Sequence, residues 1–149
     1  MSATPAPAVT AKLINALYIE AMVLADEARA YFDLHSRNSR NQMTPLQRVG
    51  FSCESLKVTT RLMHVIAWLL TQRAIAESAP PVASQHQPLG LVTDSDTSAI
   101  VALPQEAQQL INASAELYRR VKRLEQQLAS QLPMASPARR LHSRLLEAF

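Results

Sequence analysis

One cysteine, two glycines and 5% aromatics stand in a chain of 149 residues. The single Cys53 excludes an internal disulfide and a cysteine-based zinc site, which fits a reducing, cytoplasmic address. Gly50 and Gly90 are too few to build a phosphate-cradling loop of the P-loop or dinucleotide type, or the turns of an all-β fold. Long apolar runs are missing as well. The longest, Leu62 to Leu70, sits between Arg61 and Arg73 and contains His64, far short of the ~20 apolar residues that cross a bilayer. Met1 to Val9 carries neither a charge nor an apolar run, so it reads as a disordered tail rather than a leader sequence. Apolar types reach 48% and charged types 18%, a balance that builds a core. Abundant Ala, Leu, Gln and Arg then favour an all-α domain.

Three long helices follow from apolar spacing. Ile14, Leu17, Ala21, Leu24, Ala28 and Tyr31 recur at steps of three and four behind Thr10 as N-cap, which predicts a first helix over 11–35. Thr44-Pro45 opens the second, expected over 45–77, with a kink or separate turn near Gly50. Its most regular line is Leu46, Val49, Cys53, Leu56, Thr60, Met63, Ala67, Leu70 and Ala74, which is taken as the core seam with Cys53 a small buried hydrophobe. A second line, Val58, Leu62, Val65 and Leu69, helped by Phe51 and Ile66, gives this helix a second neighbour or another subunit. The connector 78–102 holds three prolines and Gly90 and shows no sustained period. Pro104 opens a third helix over 104–131 with Leu103, Ala107, Leu110, Ser114, Leu117, Val121, Leu124 and Leu128 in line. These helices predict a three-helix bundle over 10–132, taken as up-down-up although the connector permits either direction for the third. In the tail 133–149, Ser136-Pro137 caps a short amphipathic helix edged by Leu141, Leu145, Leu146 and Phe149, suited to docking.

No catalytic set converges. Cys53 and His64 lie about 16 Å apart along one helix, and the histidines at 35, 64, 86 and 142 have no metal-ligand spacing. Neither an enzyme, a cofactor nor a metal is expected. Two surfaces remain. Lys57, Arg61, His64 and Trp68 share one line of helix two and form a candidate binding strip, set against a plain reading in which Trp68 is tucked into the bundle. Arg119, Arg120, Lys122 and Arg123 fall outside the core positions of helix three. They form the densest basic patch in a chain whose net charge is +3. The patch has no helix-turn-helix and no stacking aromatics beside it, so an acidic protein ranks ahead of nucleic acid as its partner.

The run Glu54-Ser-Leu-Lys-Val-Thr-Thr-Arg-Leu-Met-His-Val-Ile-Ala-Trp-Leu-Leu-Thr-Gln-Arg-Ala-Ile75 closely resembles the family of the regulator of CtrA degradation, RcdA, of alphaproteobacteria. Leu103-Pro-Gln-Glu-Ala-Gln-Gln-Leu-Ile111, Arg119-Arg-Val-Lys-Arg-Leu-Glu125 and the closing Leu145-Leu-Glu-Ala-Phe149 are similar to matching family segments. The resemblance implies a small non-enzymatic adaptor, generally dimeric. Such adaptors help the ClpXP protease receive cell-cycle substrates such as CtrA, with partners like CpdR and PopA and a place at the cell pole. The connector departs from it, being rich in Pro and Ser and poor in charge. A basic helical dimerisation module associated with DNA, or a structural scaffold, is the alternative.

Overall fold

The computed structural model describes residues 7–38, 42–77, 88–130 and 144–148. Helix α1 spans Pro7–Asn38, α2 Pro45–Glu77, α3 Thr97–Val101 and α4 Gln105–Ser130, with one further turn over 144–148. No strand occurs among the described residues. The fold is an all-α bundle of three long helices.

Local chemistry accounts for the helix starts. Thr44 and Gln47 form a reciprocal capping box: the Gln47 N–H donates to Thr44 Oγ1 (3.2 Å) and the Thr44 N–H to Gln47 Oε1 (3.1 Å). Pro45 stands at the first helical position, where a missing N–H costs nothing. Past that start α2 is one continuous helix through Gly50, so no separate turn precedes it. The first helix begins at Pro7 rather than Ala11, which places Thr10 inside the helix and removes 7–9 from the expected tail.

Two lines of apolar residues enter the core as their spacing predicts. On α1, Ile14, Leu17, Ala21, Ala28 and Tyr31 are buried; on α4, Leu110, Leu117, Val121 and Leu124 are buried behind Ala107. On α2 the lesser line, Phe51, Val58, Leu62, Val65 and Leu69, fills the space between them.

Helix directions differ from up-down-up. Tyr18 of α1 lies against Arg73 of α2, and Phe32 against Phe51, so α1 and α2 are antiparallel. Glu20 pairs with Arg120 and His35 with Glu106, so α1 and α4 are antiparallel too. Hence α2 and α4 run side by side in the same direction, in the register set by Arg61 on Ser114. A chain leaving the end of α2 must return the length of the bundle before α4 can start. The long connector makes that return, and its described part, 88–96, is an extended strap along the α2–α4 groove that ends in α3. Asp96 caps α3: its carboxylate accepts from the Ser98 N–H (3.1 Å) and hydroxyl (2.8 Å), and these bonds hold its pKa below the ordinary aspartate value. A connector without periodicity is therefore ordered, because side chains of the helices hold its main chain.

Candidate functional site

The strip Lys57, Arg61, His64 and Trp68 is brought together on α2, but it faces the strap and α4 rather than solvent. Arg61 is only 2% exposed and Trp68 3%. The Arg61 guanidinium donates to Ser114 Oγ on α4 (3.3 Å), to the Thr93 carbonyl (3.3 Å) and to Ser95 Oγ (2.6 Å). Two turns earlier Glu54, also 2% exposed, accepts from Ser95 Oγ (2.6 Å) and from Lys57 Nζ (3.1 Å). Lys57 donates in turn to the Asp94 carbonyl (3.2 Å). Burial pulls the Arg61 pKa down, and the charges of Glu54 and Asp94 oppose that pull. Glu54 is thus paired with Lys57 and linked to Arg61 through Ser95, and both buried charges have hydrogen-bond partners, the condition under which a core tolerates them. Seen this way the serine in the apolar line of α4 has a purpose: Ser114 is small enough to sit in the core and gives Arg61 an acceptor.

His64 lies directly under Gly90, where any Cβ would meet its ring. Above it the Tyr118 hydroxyl donates to the Gly90 carbonyl (2.7 Å), the Leu89 N–H donates to Glu125, and the Leu89 side chain is buried in the core. Trp68 supplies packing area; its Nε1, with Nε2 of Gln72 one turn on, is buried without a hydrogen-bond partner among the described residues. The strip is thus not an exposed surface: Lys57, Arg61 and His64 seat the strap, and Trp68 is buried in the bundle. Spacing along α2 does show that 54, 58, 61, 65, 68 and 72 share a line, but the partners that make its charges tolerable come from 93–95 and 114.

The basic patch of α4 is on the surface and largely neutralised. Arg119 and Arg123 both reach Glu116 (3.0 and 3.9 Å), Arg120 binds Glu20 of α1 (2.6 Å) and Lys122 approaches Glu125 (3.9 Å). Arg119 holds the Glu116 pKa below the usual carboxylate value. Four cations thus share three carboxylates, which leaves little field for a phosphate backbone.

The line that spacing assigns to the core of α2 is its outer face. Leu46 is 82% exposed, Leu56 67% and Met63 65%, and Val49, Cys53, Thr60, Ala67, Leu70 and Ala74 of the same line are exposed as well. Cys53 is a free, exposed thiol rather than a buried hydrophobe. From Val49 to Ala76, about 40 Å of helix, no fully exposed position carries a charge. Thr59, Thr60 and Thr71 turn their hydroxyls back to the carbonyls of Ser55, Leu56 and Ala67 (2.8–2.9 Å). Methyl groups are left facing water. Continuous uncharged surface of this length marks an interaction site. At the tail, Leu145 and Leu146 are exposed on the turn 144–148, whereas Leu141 and Phe149 lie outside the described residues. Among the described residues no group of His, Cys, Asp and Glu could hold a metal ion, and no helix is long and apolar enough to cross a membrane.

Fold and surface together define a small helical-bundle protein built from three long helices and a returning strap, with an uncharged helix face turned to solvent. A family model described as "Protein of unknown function (DUF1465)" matches residues 6–149. The crystal structure of RcdA from Caulobacter crescentus CB15 superposes with a TM-score of 0.61 at 32% identity, covering 76% of this chain and 88% of that one. The chain belongs to the RcdA family. No curated protein matches it.

Proposed function

We propose that the chain is a non-enzymatic adaptor that helps deliver cell-cycle regulators such as CtrA to the ClpXP protease. It would act with primer proteins of the CpdR and PopA kind, in the cytoplasm and at the cell pole. The observation that carries this reading is the uncharged outer face of α2 in a member of the RcdA family. A bundle that presents a rigid apolar helix binds a partner helix without ordering itself first, so little affinity is lost to conformational entropy. A second copy is a proposed occupant of that face. A line repeating at three and four residues suits a helix of the same kind, and no charge on it repels its own image. Exposed Leu145 and Leu146 offer a second contact on the same chain.

Degradation of purified CtrA-like substrate by the protease and primers, with and without this chain, tests the reading. Acceleration that disappears with Leu56→Glu or Met63→Glu is the expected result, and no acceleration of any candidate substrate overturns it. Sedimentation of the same variants separates the roles: loss of dimer with loss of delivery assigns the face to a second copy, and loss of delivery alone assigns it to cargo or protease.

A further inference from the structure

The strap is held largely through its main chain, which another extended segment can supply. Its single buried apolar side chain is Leu89, and Leu91 two residues on is 84% exposed. The other attachments address main chain: Tyr118 to the Gly90 carbonyl, Arg61 to that of Thr93, Lys57 to that of Asp94, and Glu125 to the Leu89 N–H. Only Ser95, between Arg61 and Glu54, adds a side-chain contact in the middle of the groove. The short helix α3 that follows buries no residue.

We propose that the α2–α4 groove is a peptide-binding site occupied in cis by residues 88–96. A partner's extended segment displaces the strap when it carries a leucine-like residue, a glycine immediately after it, and a serine or threonine six positions after the leucine. The leucine follows from the Leu89 pocket, the glycine from the His64 ring beneath Gly90, and the hydroxyl from the Arg61–Glu54 pair. Exchange, rather than simple opening, is the chemistry the groove requires. If the strap left unreplaced, Arg61 would lose Thr93 and Ser95 and keep Ser114, Glu54 would lose Ser95 and keep Lys57, and the apolar pocket of Leu89 would open to water. Slack for the exchange exists. The register of Arg61 on Ser114, an offset of 53 residues, sets Glu77 level with Ser130, and the contact of Leu89 with Glu125 lies about 8 Å short of that level. The residues between Glu77 and Leu89 can span up to about 40 Å.

A fluorescein-labelled synthetic peptide of residues 88–96 is titrated into the full-length chain and into Leu89→Ser and Gly90→Ala, each of which weakens the strap and leaves the groove. Both variants are expected to bind it about tenfold tighter or more than the unmodified chain, because the cis competitor is weakened. Replacing the peptide's glycine by valine should cost about tenfold or more. Equal affinity for all three chains, or indifference to the valine, overturns the proposal. So does failure of both variants to fold by circular dichroism, since exchange requires a bundle that stands without a seated strap. The site does not depend on the adaptor reading: peptide binding without any effect on proteolysis would sustain the groove and sink the adaptor.

Discussion

Helices α2 and α4 lie side by side in the same direction, and both carry a line of small or apolar residues at steps of three and four. They use those lines in opposite ways. In α4 the line from Ala107 to Leu124 is the core, and the remaining positions are mostly Gln, Glu, Arg and Lys. In α2 the line from Leu46 to Ala74 faces water, and the core comes from Phe51, Val58, Leu62, Val65, Trp68 and Leu69. An apolar stripe on a polar helix has one rotation that hides it. A helix apolar on most sides has several, and the choice goes to the rotation that buries the most area. Phe51, Trp68, Leu62 and Leu69 outweigh Cys53, Thr60, Ala67 and Ala74, which decides the rotation even though Arg61 and Glu54 must go inside with them.

Removing the buried cation is the strongest way to break this arrangement. Arg61→Ala takes the donor from Ser114, Ser95 and the Thr93 carbonyl while Lys57 stays on Glu54, and should cost about 3–5 kcal/mol in denaturant unfolding. A smaller loss there would mean that α2 can rotate. Next comes the direct comparison of the two lines. Leu117→Ala in α4 should cost ~2–5 kcal/mol, while Met63→Ala in α2, measured on dilute protein, should stay within ~0.5 kcal/mol. Similar costs for both would return the outer line of α2 to the core. Cys53 sharpens the same point without a stability change: a thiol reagent should titrate it fully in native protein, at a rate unaffected by mild denaturant. Slower labelling at high protein concentration would report another molecule on that face.

The smallest effect concerns the strap's end. The Asp96 carboxylate is held below its ordinary pKa by Ser98, so its cap on α3 is complete above the unfolded aspartate value of about 3.9. The cap is lost as pH falls through the lower folded value. Protection of the Ser98 to Ile100 amides, relative to their intrinsic exchange rates, should therefore fall in acid before the long helices respond, and Asp96→Asn should flatten that dependence.

Much of the bundle was legible from local signals. Thr44-Pro45 and Pro104 mark the starts of α2 and α4 because capping and the missing proline N–H act within one turn. The line of α4 was readable because that helix has one apolar side; that of α1 was readable from its regular spacing, although Ile19, Val23 and Leu34 of the same helix face water. Of the candidate contacts, Leu145 and Leu146 are exposed, and the basic residues of α4 are on the surface with carboxylate partners one turn or one helix away. The strip on α2 was misplaced because a charge in a helix line reads as solvent-facing unless its partner is known. Arg61 finds its partners 32, 34 and 53 residues downstream.

Composition and periodicity alone made this chain helical, divided it into three long rods and chose the buried sides of α1 and α4, since those choices depend on neighbours within a few residues. Only the packed bundle settled which way α2 turns, which way α4 runs and where the strap lies. Each of these depends on area and hydrogen-bond partners supplied by residues far away in the chain, and none of those partners can be recognised until the helices have met.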